Sequence, residues 1–380
     1  MTKLEKLIQE LCPEGVEYKE ISEVTNYEQP SKYIVKSTAY RDEYEIPVLT
    51  AGQSFVLGYT DESDGVYPAS KATPVIIFDD FTAAFKWVVF PFKVKSSAMK
   101  IITAKEDSLL IRFLFHWMGV LNYSSTEHTR LWIGIYSKFR IPVPPLPVQR
   151  EIVRILDNFT ELTAELTAEL AARKKHYEYY TEQLMNFGDN VKVLTLGEIG
   201  SVKMCKRILK SQTNTEGGIP FYKIGTFGKE PDAFISEEVF EEYKEKYSYP
   251  KKGDILISCS GTIGRTVVFD GEPAYFQDSN IVWLEHDGTL VTNKYLQYCY
   301  KKQPWQISTG GTIARLYNDN ILKAQIPVPP IEEQERIVGI LDRFDALCND
   351  LTSGLPAEIE ARTKQYEYYR DKLLTFESAK

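Results

Sequence analysis

The most site-like stretch of the chain is Ser258-Cys-Ser-Gly-Thr-Ile-Gly-Arg265, whose glycines and hydroxyls would let a phosphate approach the backbone closely. Taken by itself, it reads first as a hairpin turn between two strands. Asp79-Asp80 has the ligands for a metal ion, although adjacent carboxylates more often serve a turn. The four histidines (His116, His128, His176 and His286) lack metal-ligand spacing, and no Cys-x-x-Cys occurs. Neither a Gly-x-Gly-x-x-Gly opening a helix nor a P-loop sequence is present, so no nucleotide site of those kinds is signalled. The Pro-Pro pairs lack the Asn/Asp-Pro-Pro-aromatic context of amino-methyltransferases. These residues do not predict an enzyme acting alone, whether methyltransferase or nuclease.

What the chain does contain is a repeated frame. Ile141-Pro-Val-Pro-Pro145 returns as Ile326-Pro-Val-Pro-Pro330, at an offset of 185. Gln149, Ile152, Val153, Ile155, Leu156, Asp157 and Phe159 return at the same offset as Gln334, Ile337, Val338, Ile340, Leu341, Asp342 and Phe344. Tyr177-Glu-Tyr-Tyr180 returns as Tyr366-Glu-Tyr-Tyr369 at an offset of 189, so the second copy has gained four residues, around Ser353-Gly-Leu-Pro-Ala357. Upstream the match thins to Arg130-Leu131 on Arg315-Leu316 and Glu20-Ile21 on Glu198-Ile199. Between these anchors the halves diverge, which is a duplication with different contents in the same frame.

The matched segments read as long helices. After Pro142, Pro144, Pro145 and Pro147, which favour an extended lead-in, residues recur at steps of four and three: Ile152, Leu156, Phe159, Thr163, Leu166, Leu170, Arg173, Tyr177, Tyr180, Leu184 and Phe187. That is a heptad seam, and about 40 residues of it make a rod of roughly 60 Å. The second copy runs through Ile337, Leu341, Phe344, Cys348 and Leu351, breaks at Gly354-Leu-Pro356, and resumes with Arg362, Tyr366, Tyr369, Leu373 and Phe376. A four-residue insertion is a stutter, and Pro356 predicts a kink or a split there. Two matched rods most simply pair with each other, antiparallel; the alternative is that each packs only on its own domain.

Outside the rods the pattern turns to strands: Val75–Phe78, Val88–Phe90 and Lys100–Ile102 in the first half, and Asp254–Ile257, Thr266–Phe269 and Ile281–Leu284 in the second, with one helix per half near 107–121 and 292–302. The expected fold is therefore α+β. Two globular domains with small twisted sheets are separated by two long helices pairing as an antiparallel coiled coil, with an internal pseudo-two-fold repeat. The expected boundaries are 1–146, including an N-terminal helix at 2–11; 147–187 for the first long helix; 188–323; and 324–380 for the second, broken near Gly354–Pro356.

A chain of 380 residues suits two or three domains, and 43% apolar with 26% charged residues is a globular composition. No apolar run reaches membrane-span length, and the first residues lack a signal peptide's apolar core. Five scattered cysteines (Cys12, Cys205, Cys259, Cys299 and Cys348) fit reduced thiols, so a cytoplasmic location is expected. The net charge of −8 argues at first against a nucleic-acid partner, but residues 147–187 and 324–380 carry −6 of it. The two larger segments are nearly balanced, so either can still present one basic face.

The arrangement resembles the specificity subunits of type I restriction–modification enzymes over nearly the whole chain. The resemblance is carried by Leu4-Glu-Lys-Leu-Ile-Gln-Glu-Leu-Cys-Pro-Glu-Gly-Val-Glu-Tyr18, the two Ile-Pro-Val-Pro-Pro segments, Glu333-Gln334-Glu-Arg-Ile337, Arg173-Lys-Lys-His-Tyr-Glu-Tyr-Tyr180 with Arg362-Thr-Lys-Gln-Tyr-Glu-Tyr-Tyr369, and Lys251-Lys-Gly-Asp-Ile-Leu-Ile-Ser258. It implies a non-catalytic subunit that reads a two-part double-stranded DNA target, one half-site per target-recognition domain. It further implies that the long helices dock two modification subunits, which bring S-adenosylmethionine and the methyltransferase site, and that motor–nuclease subunits join for cleavage. No cofactor is expected on this chain itself, and no membrane.

Base-contacting residues are not carried by the resemblance, because such domains differ with their targets. Candidates come from side-chain chemistry, Lys and Arg suiting guanine or phosphate and Asn and Gln suiting adenine. They are Lys206, Arg207, Lys210, Gln212 and Asn214 in the second domain, with Lys86, Trp87, Lys93 and Lys95 in the first. Arg265 belongs to the glycine-rich loop. Arg130 and Arg315 occupy matching loops, where each either contacts phosphate or only pins the loop. The competing reading is a duplicated protein-binding scaffold, which the acidic balance favours; duplex binding that weakens steeply with salt separates the two.

Overall fold

The structure is a computed structural model that describes residues 2–50, 55–105, 107–123, 129–307 and 314–379, apart from the side chain of Asp189; His128 lies outside them. The first half runs α1 (Lys3–Leu11), β1 (Tyr18–Glu20), α2 (Ile21–Val24), β2 (Thr25–Glu28), β3 (Ile46–Leu49), β4 (Val56–Thr60), β5 (Val75–Asp79), β6 (Phe85–Val88), β7 (Lys93–Val94), β8 (Met99–Ala104), α3 (Ile111–Leu121), β9 (Arg140–Pro142) and α4 (Leu146–Leu184). The second runs β10 (Val193–Thr195), α5 (Leu196–Ile199), β11 (Ser201–Lys203), β12 (Ile219–Tyr222), β13 (Phe234–Ile235), α6 (Glu237–Lys246), β14 (Ile255–Ser258), β15 (Thr266–Val268), β16 (Tyr275–Phe276), β17 (Ile281–Glu285), α7 (Asn293–Lys301), α8 (Asn318–Leu322), β18 (Gln325–Pro327), α9 (Ile331–Asn349) and α10 (Leu355–Leu373). Two compact units result: residues 1–169 with 356–380, and residues 170–355. They differ from four consecutive segments because each rod end packs onto the domain beside it, so the division falls inside α4.

In the first unit an antiparallel sheet of order β2-β8-β5-β6 lies against a second sheet of order β4-β3-β7, in which β3 and β7 are parallel. The two-residue period of β5 feeds two cores. Ile76 and Phe78 pack with Phe113, Leu114 and Ile152 on the helical side, while Val75 and Ile77 pack with Leu49, Phe92 and Val94 on the other. The edge strand β6 sits earlier than its expected place at Val88–Phe90, because Phe85 and Trp87 pack on Phe115 of α3. The second unit repeats the plan strand for strand. Its sheets are β11-β17-β14-β15 and β13-β12-β16, with β12 and β16 parallel. Ile255 and Ile257 pack toward Tyr295, Leu296 and Ile337, and Leu256 toward Phe221 and Tyr275. The small ribbons β1-β9 and β10-β18 also match.

The rods do touch. In the first unit Ile152 and Leu156 are buried, and Phe159 stacks on Tyr369 at 5.3 Å. In the second, Ile337 and Leu341 are buried, and Phe344 stacks on Tyr180 at 5.6 Å and on Tyr177 at 6.3 Å. Within each unit, then, a part of α4 packs on a segment of the second rod: on α10 in the first and on α9 in the second. Leu166, Leu170, Leu184, Tyr366 and Leu373 are half-buried, while Tyr180 and Tyr369 stay exposed beside their ring contacts. Leu351 is not a seam residue: it is 75% exposed. The reason is that α9 ends at Asn349, and Asp350 turns the chain by accepting from Thr352 N at 2.7 Å and Thr352 Oγ1 at 2.6 Å. Pro147 and Pro356 fall in the first turns of α4 and α10, where a missing N–H costs nothing.

The last residues return to the start of the first unit. Val16 N–H donates to Glu377 O at 2.9 Å, Ala379 N–H to Val16 O at 3.0 Å, and Tyr18 Oη to Phe376 O at 2.9 Å. Gly15 has φ +95°, and a Cβ there would stand 2.8 Å from Glu377 O, so only glycine fits the crossing.

Candidate nucleic-acid interface

The best-formed candidate lies in the second unit. Cys205 and Ile208 are buried anchors, and their spacing turns Lys206, Arg207, Leu209 and Lys210 outward. Lys206 Nζ stands 5.0 Å from the ring centroid of the exposed Tyr247, at the end of α6, a cation–π contact that leaves both groups on the surface. Gln212 holds this loop. Its Oε1 accepts from Leu209 N at 2.9 Å and its Nε2 donates to Tyr243 Oη at 3.1 Å. Asn214 is exposed while its backbone bridges to Phe234. Burial pushes the Cys205 thiol up to about 12, so the sulfur under this loop stays protonated. The result is three outward cations beside an exposed aromatic ring, which suits phosphates and base edges in a groove.

Arg265 and Arg315 are less free. Arg265 donates to Gly228 O at 3.1 Å from within the hairpin joining β14 and β15, so the glycine-rich stretch is indeed a turn. Ser258 Oγ and Ser260 Oγ close that turn onto Thr262 O and Asn280 Oδ1. Arg315 donates to Ser279 O at 2.7 Å and lies 5.8 Å over the Tyr317 ring, pinning its loop while keeping other N–H groups at the surface.

In the first unit the candidates are not brought together. Lys86 is exposed on edge strand β6, but Trp87 is covered by the Arg112 guanidinium at 4.7 Å and by Phe115. Lys95 is exposed, 5.8 Å from the Tyr40 ring. Arg130 is exposed, following residues 124–128, which lie outside the described set. Lys93 is not available as a DNA contact. It is 1% exposed, and its ammonium donates to Asp64 O at 2.5 Å and pairs with Glu62 at 3.2 Å, closing a loop. Asp79-Asp80 likewise has structural work: Asp79 accepts from Phe81 N at 2.8 Å, and Asp80 pairs with the buried Lys100 at 3.1 Å.

Sequence reading missed the polar knots where rods meet domains. Asp157 of α4 accepts from Arg112 at 2.7 Å and meets His116 Nε2 at 2.9 Å, while His116 Nδ1 meets Tyr366 Oη at 2.9 Å. The matched Asp342 of α9 is held by Lys294 at 2.7 Å and Tyr298 Oη at 2.6 Å. The Asp157/Asp342 repeat was the visible signal, but its partners differ between the copies. All five cysteines are buried and unpaired, and among the described residues no group of three His, Cys, Asp or Glu could hold a metal. No helix among those residues is long and apolar enough to cross a membrane.

A sequence profile described as the type I restriction modification DNA specificity domain matches residues 13–173 and again 188–361, one match for each copy of the duplicated topology. The chain belongs to the type I restriction specificity-subunit family. A Haemophilus influenzae protein named as a putative type I restriction enzyme specificity subunit is 50% identical, covering 99% of this chain and 98% of that protein. The EcoR124I/EcoR124II specificity subunit of Escherichia coli is 42% identical, covering 99% and 97%. Among solved structures, the S subunit of a type I system from M. genitalium shares the fold at a TM-score of 0.60 and 14% identity, covering 95% of this chain and 96% of its own. A chain from a study of type I complex assembly and conformational transition gives a TM-score of 0.56 at 20% identity, covering 95% and 97%. The specificity-subunit fold therefore extends over both units here.

Proposed function

We propose that the chain is the DNA-reading, non-catalytic subunit of a type I restriction–modification complex, recognising a bipartite duplex target with one half-site per unit. The observation that carries this reading is the duplicated topology with divergent contents: the same strand order twice, with unlike surface loops. Identical scaffolds with different loops suit two different ligands of one kind. The paired rods would dock two modification subunits carrying S-adenosylmethionine, and motor–nuclease subunits would join that assembly for cleavage. The basic loop at Lys206–Lys210 is the strongest candidate for a DNA contact in the second unit, with Lys86 and Lys95 as weaker ones in the first.

The test is to map modified bases in cells with and without the chain. A two-part motif that disappears with the chain is expected, and exchanging residues 188–323 for those of a relative should change only one half of it. Duplex binding by the assembled complex should weaken steeply with salt, as counterion release requires. Modification that persists without the chain, or binding indifferent to salt, would leave the protein-scaffold reading in its place.

A further inference from the structure

Gln149 in the first turn of α4 and Gln334 in the first turn of α9 are matched in the repeat, and both are fully buried. The Gln149 carbonyl accepts the Leu110 N–H at 2.8 Å, and its amide nitrogen donates to Ser108 O and Pro144 O, both at 2.7 Å. Gln334 accepts the Thr292 N–H at 2.9 Å and donates to Leu290 O and Pro329 O, both at 2.8 Å. Leu110 and Thr292 are the residues on which α3 and α7 begin. Each amide thus joins three segments at one point: the start of the domain's helix, the proline lead-in, and the rod.

A glutamine amide offers one acceptor carbonyl and two N–H donors, and both copies use all of them. All six partners are backbone atoms. The two lead-in partners, Pro144 and Pro329, are matched, but the four in the domains sit on residues that differ between copies, Ser108 and Leu110 in one, Leu290 and Thr292 in the other. A staple that bonds only backbone is blind to the contents of the domain it holds. If the position served packing alone, a leucine or methionine would fill it without burying an amide.

We propose that Gln149 and Gln334 are positioning residues: each fixes the angle of a reading domain on its own rod, and so enforces spacer length whatever half-site that domain reads. This rests on the two-half-site reading above. The test uses the chain assembled with its modification subunits and duplexes carrying both mapped half-sites at the cognate spacer, or with one base pair added or removed. In Gln149→Met and in Gln334→Met, the ratio of cognate to off-spacer methylation is expected to fall by about tenfold or more, since loosening a positioned group by ~1 Å can cost ~100-fold. Half-site sequence preference should stay unchanged.

A ratio that holds in folded variants overturns the proposal, as does a change in half-site preference with spacer selectivity intact. Should the variants fail to fold, amide exchange in the unsubstituted complex decides. Leu110 and Thr292 N–H are expected to be protected like the β5 and β14 core, and exchange at surface-loop rates overturns the proposal. An unsubstituted complex indifferent to spacer length would instead overturn the two-half-site reading, and the proposal with it.

Discussion

His116 shows how burial decides what a titratable group contributes. Burial holds its pKa below the ordinary value; the Arg112 and Arg370 charges push the same way, and the Asp157 contact opposes them. The unfolded chain therefore takes up a proton near about pH 6.5 that the folded chain resists, so stability is intact above that pH and falls below it. For Asp157, burial alone would raise the pKa, but hydrogen bonds from His116 and Arg112 outweigh it and hold the carboxyl low. Its share of stability is also lost toward acid, at lower pH. The thermal midpoint should fall between about pH 7 and pH 5, and His116→Gln should flatten the upper part of that fall; a midpoint that rises with acid would contradict the assignment. For the exposed cations the readout is salt. Lys206→Ala, Arg207→Ala and Lys210→Ala combined should weaken duplex binding and reduce the slope of log affinity against log salt by up to about three, roughly one for each phosphate left without its cation. An unchanged slope would remove this loop from the interface. Residue chemistry was only half legible in the sequence. The spacing of Cys205 and Ile208 exposes the cations between them, whereas the loop that buries Lys93 closes from Asp64 and Gly65, far away in the chain.

At the scale of elements, the rods, α3, α7 and the central strands followed from periodicity, because each faces a core that imposes its own period. By contrast α6 (Glu237–Lys246), a second helix in a half expected to have one, buries only Phe240 and left no apolar period to read. β5 and β14 lie between two cores and read as continuous apolar runs, and the seam residues Phe159, Tyr180, Phe344 and Tyr369 found one another across the rods. Leu351 fitted the heptad by number alone; a helix that stops at Asn349 has no phase left to keep. The smaller sheets of each unit escaped, since β7, β13 and β16 are two residues long and are fixed by partners distant in sequence. The return of the C-terminus was equally hidden, being built from backbone bonds to Val16. It carries weight nonetheless. Leu374 is 2% exposed in the first unit's helical core, so Leu374→Ala should cost about 2–5 kcal/mol in chemical denaturation of that unit. Gly15→Ala should add strain at the same crossing, because its φ and its contact with Glu377 O both exclude a Cβ. A Leu374→Ala chain as stable as its parent would mean that the terminal residues do not hold the first unit together in solution.

For the whole molecule, the decisive feature is that α4 runs unbroken from Leu146 to Leu184 and gives its first part to one unit and its last part to the other. A continuous helix converts residue count into length at about 1.5 Å per residue, so insertions within it change distance in defined steps. Thr163-Ala-Glu-Leu-Thr-Ala-Glu-Leu170 is a tandem four-residue unit inside that helix, with Thr163, Leu166 and Leu170 half-buried and most of the intervening side chains exposed. One unit more or less changes the helix by about 6 Å, near two base-pair steps of about 3.4 Å, and turns it only about 40° past a full revolution. The seam therefore keeps nearly the same face while the length moves. Deleting Thr163–Leu166 should shorten the unread spacer of the target and leave both half-sites as they were, because no residue of either sheet is touched. Mapping of modified bases reads the two quantities separately. A spacer that stays the same would mean that α4 does not set it, and altered half-sites would mean that the helix reaches into recognition itself.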